Sequence, residues 1–266
     1  MIDLHAHILP GLDDGAESLE ESVEMCRISY QDGVRRIVAT PHILPGVYNN
    51  HRSAILAKTE ELNKAIAKFT PHPNLENPSS NPSEFRTPNS EFRILPGADV
   101  HFSPNLPQLC EKGEIVTVND EGRYLLLEFD FMTLPYQGEE VLFQLIARGI
   151  TPVITHPERT LEIARAPKRY YEMIKMGCLG QVTAMSLTGG FGSEVRRVAE
   201  RLLSHRLVHF IASDAHSVHR RPPLLSPAVK AAEKMVGRAE ARRMVTEYPQ
   251  ALLEGRRPDV PEPIPI

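Results

Sequence analysis

The sequence predicts an α/β fold built on a parallel sheet, and three observations carry the prediction. Seven apolar, often β-branched runs precede turn signals, and most of them alternate with segments of helical spacing. Runs such as Leu125-Leu126-Leu127 and Val208-His209-Phe210-Ile211-Ala212 are nearly continuous in apolar character, as strands buried on both faces are. No Gly-x-Gly-x-x-Gly turn follows the first strand, which favours a barrel over an open nucleotide-binding sheet. Gly190-Phe191-Gly192-Ser193 comes near that pattern, but Val195 stands in place of the third glycine.

In chain order, strands are expected at 1–4, 34–39, 92–95, 124–129, 151–155, 179–182 and 207–212. Helices are expected at 18–32, 52–68, 139–148, 168–176 and 193–205, the first opened by Ser18 and Glu21 at capping-box spacing. Residues 70–88 are crowded with Pro, Asn and Ser beside a short duplication, Ser83-Glu84-Phe85-Arg86 and Ser90-Glu91-Phe92-Arg93, and are expected to form a flexible surface insertion. Residues 257–266, with four prolines, are expected to form a flexible tail, leaving a single domain over 1–256.

Composition narrows the function classes. Lys+Arg 30 against Asp+Glu 34 gives a net charge of −4, so no basic excess draws the chain to nucleic acid or anionic lipid. Cys26, Cys110 and Cys178 are odd in number and form no C-x-x-C pair, which fits a reducing compartment. With no basic leader at Met1-Ile2-Asp3-Leu4-His5 and no run of about 18 apolar residues, a soluble, cytoplasmic protein without membrane insertion is expected. The position six after each cysteine holds Asp32, Val116 or Ala184, so the arginine of a thiol phosphatase is missing, as are a Gly-x-Ser-x-Gly elbow and a P-loop.

Metal-ligand side chains gather just past the ends of six of the seven expected strands. These are His5 and His7 with Asp13-Asp14, then His42, Asp99, Glu128, His156 with Glu158, and finally Asp214 with His216. Residues i and i+2 of an extended segment point the same way, so His5 and His7 can grip one ion together. Imidazole and carboxylate without thiolate suit Mn, Fe or Zn, and a carboxylate can bridge two ions. Such a pair of ions activates water and clamps an in-line displacement at phosphorus, so metal-assisted hydrolysis is the expected chemistry. Asp13 and Asp14 each stand equally as ligand or as turn residue, and Glu158 as ligand or as an outer hydrogen-bond acceptor. His51, His72, His101, His205 and His219 are read mostly as surface residues and His209 as a satisfied strand residue. Arg159 and Arg221, with Arg220 a weaker candidate, place guanidinium groups beside the same face, where their forks match phosphoryl oxygens. Thr188-Gly189-Gly190-Phe191-Gly192 either lines the mouth with backbone amides or is a plain loop.

The opening Met1-Ile2-Asp3-Leu4-His5-Ala6-His7-Ile8-Leu9-Pro10-Gly11-Leu12-Asp13-Asp14-Gly15 resembles the PHP (polymerase and histidinol phosphatase) superfamily, and within it the bacterial tyrosine-protein phosphatases of capsular and exopolysaccharide loci. The likeness continues through Thr40-Pro41-His42, Leu125-Leu126-Leu127-Glu128-Phe129, Thr155-His156-Pro157-Glu158-Arg159, Ser213-Asp214-Ala215-His216 and Arg221-Pro222-Pro223, spanning roughly residues 1–250. The resemblance implies a distorted (β/α)7 TIM-like barrel, the PHP fold, with a three-ion cluster, Mn2+ foremost and Fe or Zn as alternatives. It implies His5, His7, Asp99 and Asp214 on one ion, Asp99, Glu128 and His156 on a second, and Asp14, His42 and His216 on a third. Arg159 and Arg221 match the arginines that contact phosphate. The implied substrate is phosphotyrosine on the tail of a membrane-associated tyrosine kinase controlling polysaccharide synthesis, and an oligomer is compatible with the pattern. Asp99 departs from the family, which usually carries a Glu there, so an altered metal preference is expected. A histidinol-phosphatase-like small-molecule phosphomonoesterase and a non-catalytic, metal-bound regulatory subunit are the alternative readings.

Overall fold

The computed structural model describes residues 1–67 and 92–266, so the expected insertion at 70–88 lies outside the described residues. Strand β1 (Ile2–Ala6) leads through α1 (Leu19–Gln31) to β2 (Arg36–Ala39), β3 (His42–Ile43) and α2 (Arg52–Ile66). Next come β4 (Arg93–Pro96), β5 (Asp99–His101), α3 (Leu106–Glu111), β6 (Tyr124–Glu128), α4 (Gly138–Ala147), β7 (Thr151–Thr155), α5 (Leu161–Arg165) and α6 (Lys168–Met176). The chain finishes with β8 (Leu179–Thr183), α7 (Ala184–Thr188), α8 (Ser193–Ser204), β9 (Phe210–Ala212), α9 (Ser226–Val236), α10 (Arg238–Arg243) and α11 (Glu247–Leu253). Among the described residues the strands form two parallel sheets, ordered β1-β2-β4 and β3-β5-β6-β7-β8-β9, in a mixed α/β fold.

Parallel strands wrapped by helices must bury both faces, and the apolar runs do so. Leu125, Leu127, Val153, Ile154, Val182 and Phe210 are wholly shielded from solvent, each worth about 1.5–3 kcal/mol of transfer free energy. Two strands break in step beside each other. Ala39 pairs with Pro96 and His42 with Asp99, which sets Thr40-Pro41 alongside Gly97-Ala98. Pro41 has no N–H for the ladder, and a Cβ on Gly97 would stand 2.5 Å from Val38 Cγ1. Past the break the strands resume as β3 and β5, bringing His42 and Asp99 together as register partners.

The capping box at α1 is half formed. Ser18 Oγ accepts from the Glu21 N–H at 3.2 Å, while the Glu21 carboxylate turns to the Glu17 N–H at 3.0 Å instead of that of Ser18. Helix α9, absent from the expected helices, is capped from afar: Asp32 Oδ2 accepts from the Leu225 and Ser226 N–H groups at 2.7 and 2.9 Å. The Ile2 N–H bonds to the Val245 carbonyl at 2.8 Å, seating the C-terminal helices against β1.

The proline-rich residues 257–266 run past the end of α8 and touch it at two points. Pro258 is buried, the Ile264 N–H donates to the His205 carbonyl at 2.9 Å, and His205 Nδ1 donates to the Pro265 carbonyl at 2.8 Å. Proline removes a donor but keeps its carbonyl, and its restricted φ lowers the entropy lost when the tail lies down on the end of α8. No helix among the described residues is long and apolar enough to cross a membrane.

Candidate metal centre

Seen from the ends of β1, β3, β5, β6, β7 and β9, the nine expected ligands form one connected cluster. His5 Nε2 lies 3.6 Å from Asp99 and 3.5 Å from Asp214, and His7 Nε2 lies 3.6 Å from Asp214. His42 stands 3.7 Å from Asp14, 3.4 Å from Asp99 and 3.6 Å from Glu128. His156 is 3.4 Å from Glu128 and 4.0 Å from Asp99, and His216 is 3.5 Å from Asp14. Donor atoms converge within 4.8 Å in three overlapping groups: His7, Asp14, His42 and His216; His5, His7 and Asp99; and His42, Asp99 and Glu128. The third of these has His42 where the family pattern implies His156.

Backbone strain helps to aim two of the side chains. His156 and Asp214 take φ values of 34° and 51°, a left-handed conformation that costs an ordinary residue about 1–3 kcal/mol and is held here by the surrounding sheet. His156 directly follows β7, and Asp214 lies two residues past the end of β9.

Hydrogen bonds decide which nitrogen each ring presents. His7 Nδ1 donates to Asp13 Oδ2 at 2.6 Å, His5 Nδ1 to Gln181 Oε1 at 2.9 Å, and His216 Nδ1 to the Asp214 carbonyl at 2.9 Å. Because those oxygens accept only, the proton resides on Nδ1 and the lone pair on Nε2 faces the cluster. His5 Nε2 and His7 Nε2 consequently meet at 3.0 Å, two lone pairs aimed at one place. The buried Asp99 Oδ2 and His42 Nδ1 have no hydrogen-bond partner, although Asp99 Oδ1 accepts from Thr155 Oγ1 at 3.1 Å.

Charge tells the same story. Burial, followed by the carboxylates of Glu128 and Asp214, pushes the Asp99 pKa well above the usual range. Burial lowers the pKa of His5, burial with the neighbouring imidazoles lowers that of His7, and burial with Arg159 lowers that of His156 to about 3. Asp214 moves the other way: burial opposes ionisation, but His5, Arg221 and His156 outweigh it and hold the carboxyl well below its usual range. A cation at the centre favours both ionised carboxylate and neutral imidazole, so this donor set fits divalent metal.

Two guanidinium groups border the cluster. Arg159 Nη1 donates to Asp214 Oδ2 at 2.9 Å, and Arg221 is ion-paired with the same oxygen. Arg220 is exposed, with its backbone N–H on Ser217 Oγ. The glycine-rich loop brings Phe191 to the site: its ring centroid lies 4.8 Å from the Arg159 guanidinium carbon and 5.6 Å from that of Arg221. Phe131 lies 4.7 Å from the same Arg159 carbon.

Other neighbours complete the surroundings of the cluster, some of them outside the sequence reading. His101, read as a surface residue, lies 3.7 Å from Glu128. Its place two residues after Asp99 on a strand was the available signal, the rule already used for His5 and His7. Asp13 bonds His7 and also accepts from the His42 N–H at 2.9 Å, so it stands behind both rings. Gly15 closes that loop against His7, where a Cβ would stand 2.2 Å from the His7 carbonyl oxygen. Glu158 turns away to accept from the Thr183 N–H at 3.0 Å and Ser186 Oγ at 2.6 Å, with burial raising its pKa to about 7. Tyr48, on a turn after β3, stacks on His42 with ring centroids 5.7 Å apart. Gln181, Phe131 and Tyr48 had no local signal, because each meets its partner only through the fold, whereas Phe191 lies in the glycine-rich run already set beside the mouth and reaches the site by its ring.

The chain matches the family model described as capsular polysaccharide synthesis, CpsB/CapC, over residues 1–79 and 72–254. It is 35% identical over 256 residues to the tyrosine-protein phosphatase YwqE of Bacillus subtilis (strain 168), covering 96% of this chain and 92% of that protein. To the tyrosine-protein phosphatase CpsB of Streptococcus pneumoniae it is 31% identical over 261 residues, covering 95% and 98%. A crystal structure from a study of YwqE and CpsB, described there as unique metal-dependent tyrosine phosphatases, matches with a TM-score of 0.88 at 34% identity, covering 100% of this chain and 99% of the other. The chain belongs to the CpsB/CapC family of capsular polysaccharide synthesis, whose matched members are tyrosine-protein phosphatases.

Proposed function

We propose that this chain hydrolyses phosphotyrosine on the tail of a membrane-associated tyrosine kinase, acting from the cytoplasm with a cluster of three divalent ions, manganese foremost. As a member of its family the chain is a tyrosine-protein phosphatase. His5, His7, Asp14, His42, Asp99, Glu128, His156, Asp214 and His216 are the ligands in this reading, and Arg159 and Arg221 hold the phosphoryl group. The observation that carries it is the meeting of both arginines on Asp214, a carboxylate that also faces His5 and His7.

When bound, the ions supply Lewis-acid charge for phosphoryl oxygens and activate water at neutral pH. The chain's own residues do the rest. Arg159 and Arg221 offer guanidinium N–H groups to the non-bridging oxygens, and Asp214 keeps both forks at the cluster's edge. Asp13, Gln181 and the Asp214 carbonyl hold the protons of three imidazoles on the outer nitrogen, so those rings stay neutral donors. A phenolate leaves more readily than an alkoxide, so positioning of the phosphoryl group can supply most of the catalysis.

In the same proposal the two sheets complete a distorted (β/α)7 barrel, with residues 1–256 as one phosphoesterase domain. In support, the Asp214 N–H donates to the His5 carbonyl and the His7 N–H to the Ala215 carbonyl, each at 2.8 Å, linking the end of β9 to β1. The test is phosphate release from a phosphotyrosine peptide and from histidinol phosphate by chelator-stripped protein before and after Mn2+ addition. Metal-dependent preference for the peptide, lost in His5→Ala and Arg159→Ala, supports the proposal. Preference for histidinol phosphate refutes it.

A further inference from the structure

Phe131 is an apolar ring left in solvent beside a polar cluster. It is 45% exposed on the loop that leaves β6 just after Glu128, and Met132 and Tyr136 on the same loop are exposed at 60% and 96%. Its ring lies 5.8 Å from that of His156 and 4.7 Å from the Arg159 guanidinium carbon. Phe191 reaches the same guanidinium from the loop between α7 and α8 and is within 5.6 Å of that of Arg221. Cation–π attraction accounts for the arginine contacts but not for leaving the Phe131 ring open to water.

An ester whose phosphoryl group is held by Arg159 and Arg221 must carry its organic group past the rings that touch those arginines. An aryl ester bears its ring directly on the bridging oxygen, so that ring arrives beside Phe131 and Phe191 and covers apolar surface. A serine or threonine ester brings a short aliphatic link and polar backbone to the same place, and the exposed ring stays wet. We infer that Phe131 and Phe191 are specificity-determining residues: together they form an aromatic wall that receives the phenyl ring of an aryl phosphate and separates phosphotyrosine from phosphoserine and phosphothreonine. The inference rests on the reading that Arg159 and Arg221 hold the phosphoryl group.

The test uses the metal-loaded protein and calorimetric binding of two non-hydrolysable probes with the same head group, benzylphosphonate and ethylphosphonate, with inorganic phosphate as head-group control. The parent is expected to bind benzylphosphonate about three- to tenfold more tightly than ethylphosphonate, the range for one aromatic pair. Phe131→Leu and Phe191→Leu should each reduce that preference at least twofold, while Phe131→Tyr, which keeps the ring, should retain it. A parent without the preference, or leucine variants that keep all of it, overturns the aromatic wall. Failure of the underlying reading looks different: inorganic phosphate would then bind Arg159→Ala as well as it binds the parent, whatever the preference between phosphonates.

Discussion

Arg159 and Asp214 are joined by a 2.9 Å hydrogen bond from guanidinium Nη1 to carboxylate Oδ2, and the other oxygen of that carboxylate faces His5 Nε2 at 3.5 Å. The pair ties the cation proposed for phosphate binding to the ligand cluster through a single buried side chain. Arg159→Lys keeps the charge but loses the planar fork, so kcat on a phosphotyrosine peptide should fall about 10- to 100-fold, and Arg159→Ala should fall further. Metal content measured on the same samples should stay near that of the parent. An alanine variant with more than half the parental kcat would remove Arg159 from the site.

Asp13 supplies the acceptor that keeps the His7 proton on Nδ1. Asp13→Asn weakens that acceptor and removes its charge, so metal affinity measured by competition with a coloured chelator should drop about 10- to 100-fold. Equal affinity in parent and variant would reduce Asp13 to the role of a turn residue.

Buried carboxylates and imidazoles with opposed pKa shifts make the metal-free cluster a source of instability. Saturating Mn2+ at about 100 times its Kd should add about 2.7 kcal/mol, seen as a rise in Tm of about 5–10 °C over chelator-treated protein. Asp99→Asn should lose most of that rise. The metal-centre assignment fails if Mn2+, Fe2+ and Zn2+ all leave the parental Tm where it was.

His209 lies away from the cluster and accepts from the Gly180 N–H through Nδ1 at 3.0 Å. Burial, with a smaller push from Arg257, lowers its pKa from 6.5 to about 3. Between those values the unfolded chain binds a proton that the native ring refuses. Stability is therefore lost as pH falls from 6.5 toward 3, by about 2 kcal/mol at pH 5 from this group alone. His209→Asn offers Gly180 an acceptor without the titration, so urea unfolding at pH 7 and pH 5 should differ less than in the parent. An identical difference in both proteins would contradict this assignment.

At Gly180 the backbone of β8 passes so close to its neighbours that a Cβ would stand 2.1 Å from Tyr170 Oη and 2.5 Å from the Leu207 carbonyl oxygen. Tyr170 Oη donates to that same carbonyl at 2.9 Å, so it cannot move aside without breaking a buried bond. Gly180→Ala should destabilise the fold by about 1–3 kcal/mol in denaturant titration. A loss under 0.5 kcal/mol would mean that the strand has room to shift.

Much of the architecture was legible because its signals are local. The run Leu125-Leu126-Leu127 reads as a strand buried on both faces from its own composition, and Ser18 with Glu21 marks the start of α1 within four positions. Eight of the nine proposed ligands were legible for a related reason, since each lies at or just past an expected strand end, where strands laid parallel deliver their side chains to one side, whereas Asp14 read equally as a turn residue and was singled out only by the family resemblance. Helix α9 went unread although Pro227 in its first turn and Gly237 at its end are local signals; only its cap, Asp32, lies far off, 193 residues from Leu225. What the tail touches was not legible, because the Pro265 carbonyl meets His205 only through the fold.

By itself the sequence determined seven of the strands and five of the helices in their order, the ligand types at the strand ends and the presence of two arginines beyond them, because periodicity and spacing are properties of neighbouring residues. The tertiary structure decided which nitrogen each imidazole turns inward, that Asp13 stands behind His7 and His42, and that Phe131 and Phe191 flank Arg159. Those are contacts between separate elements, and a side chain's partner across the sheet is set only when the strands take their register.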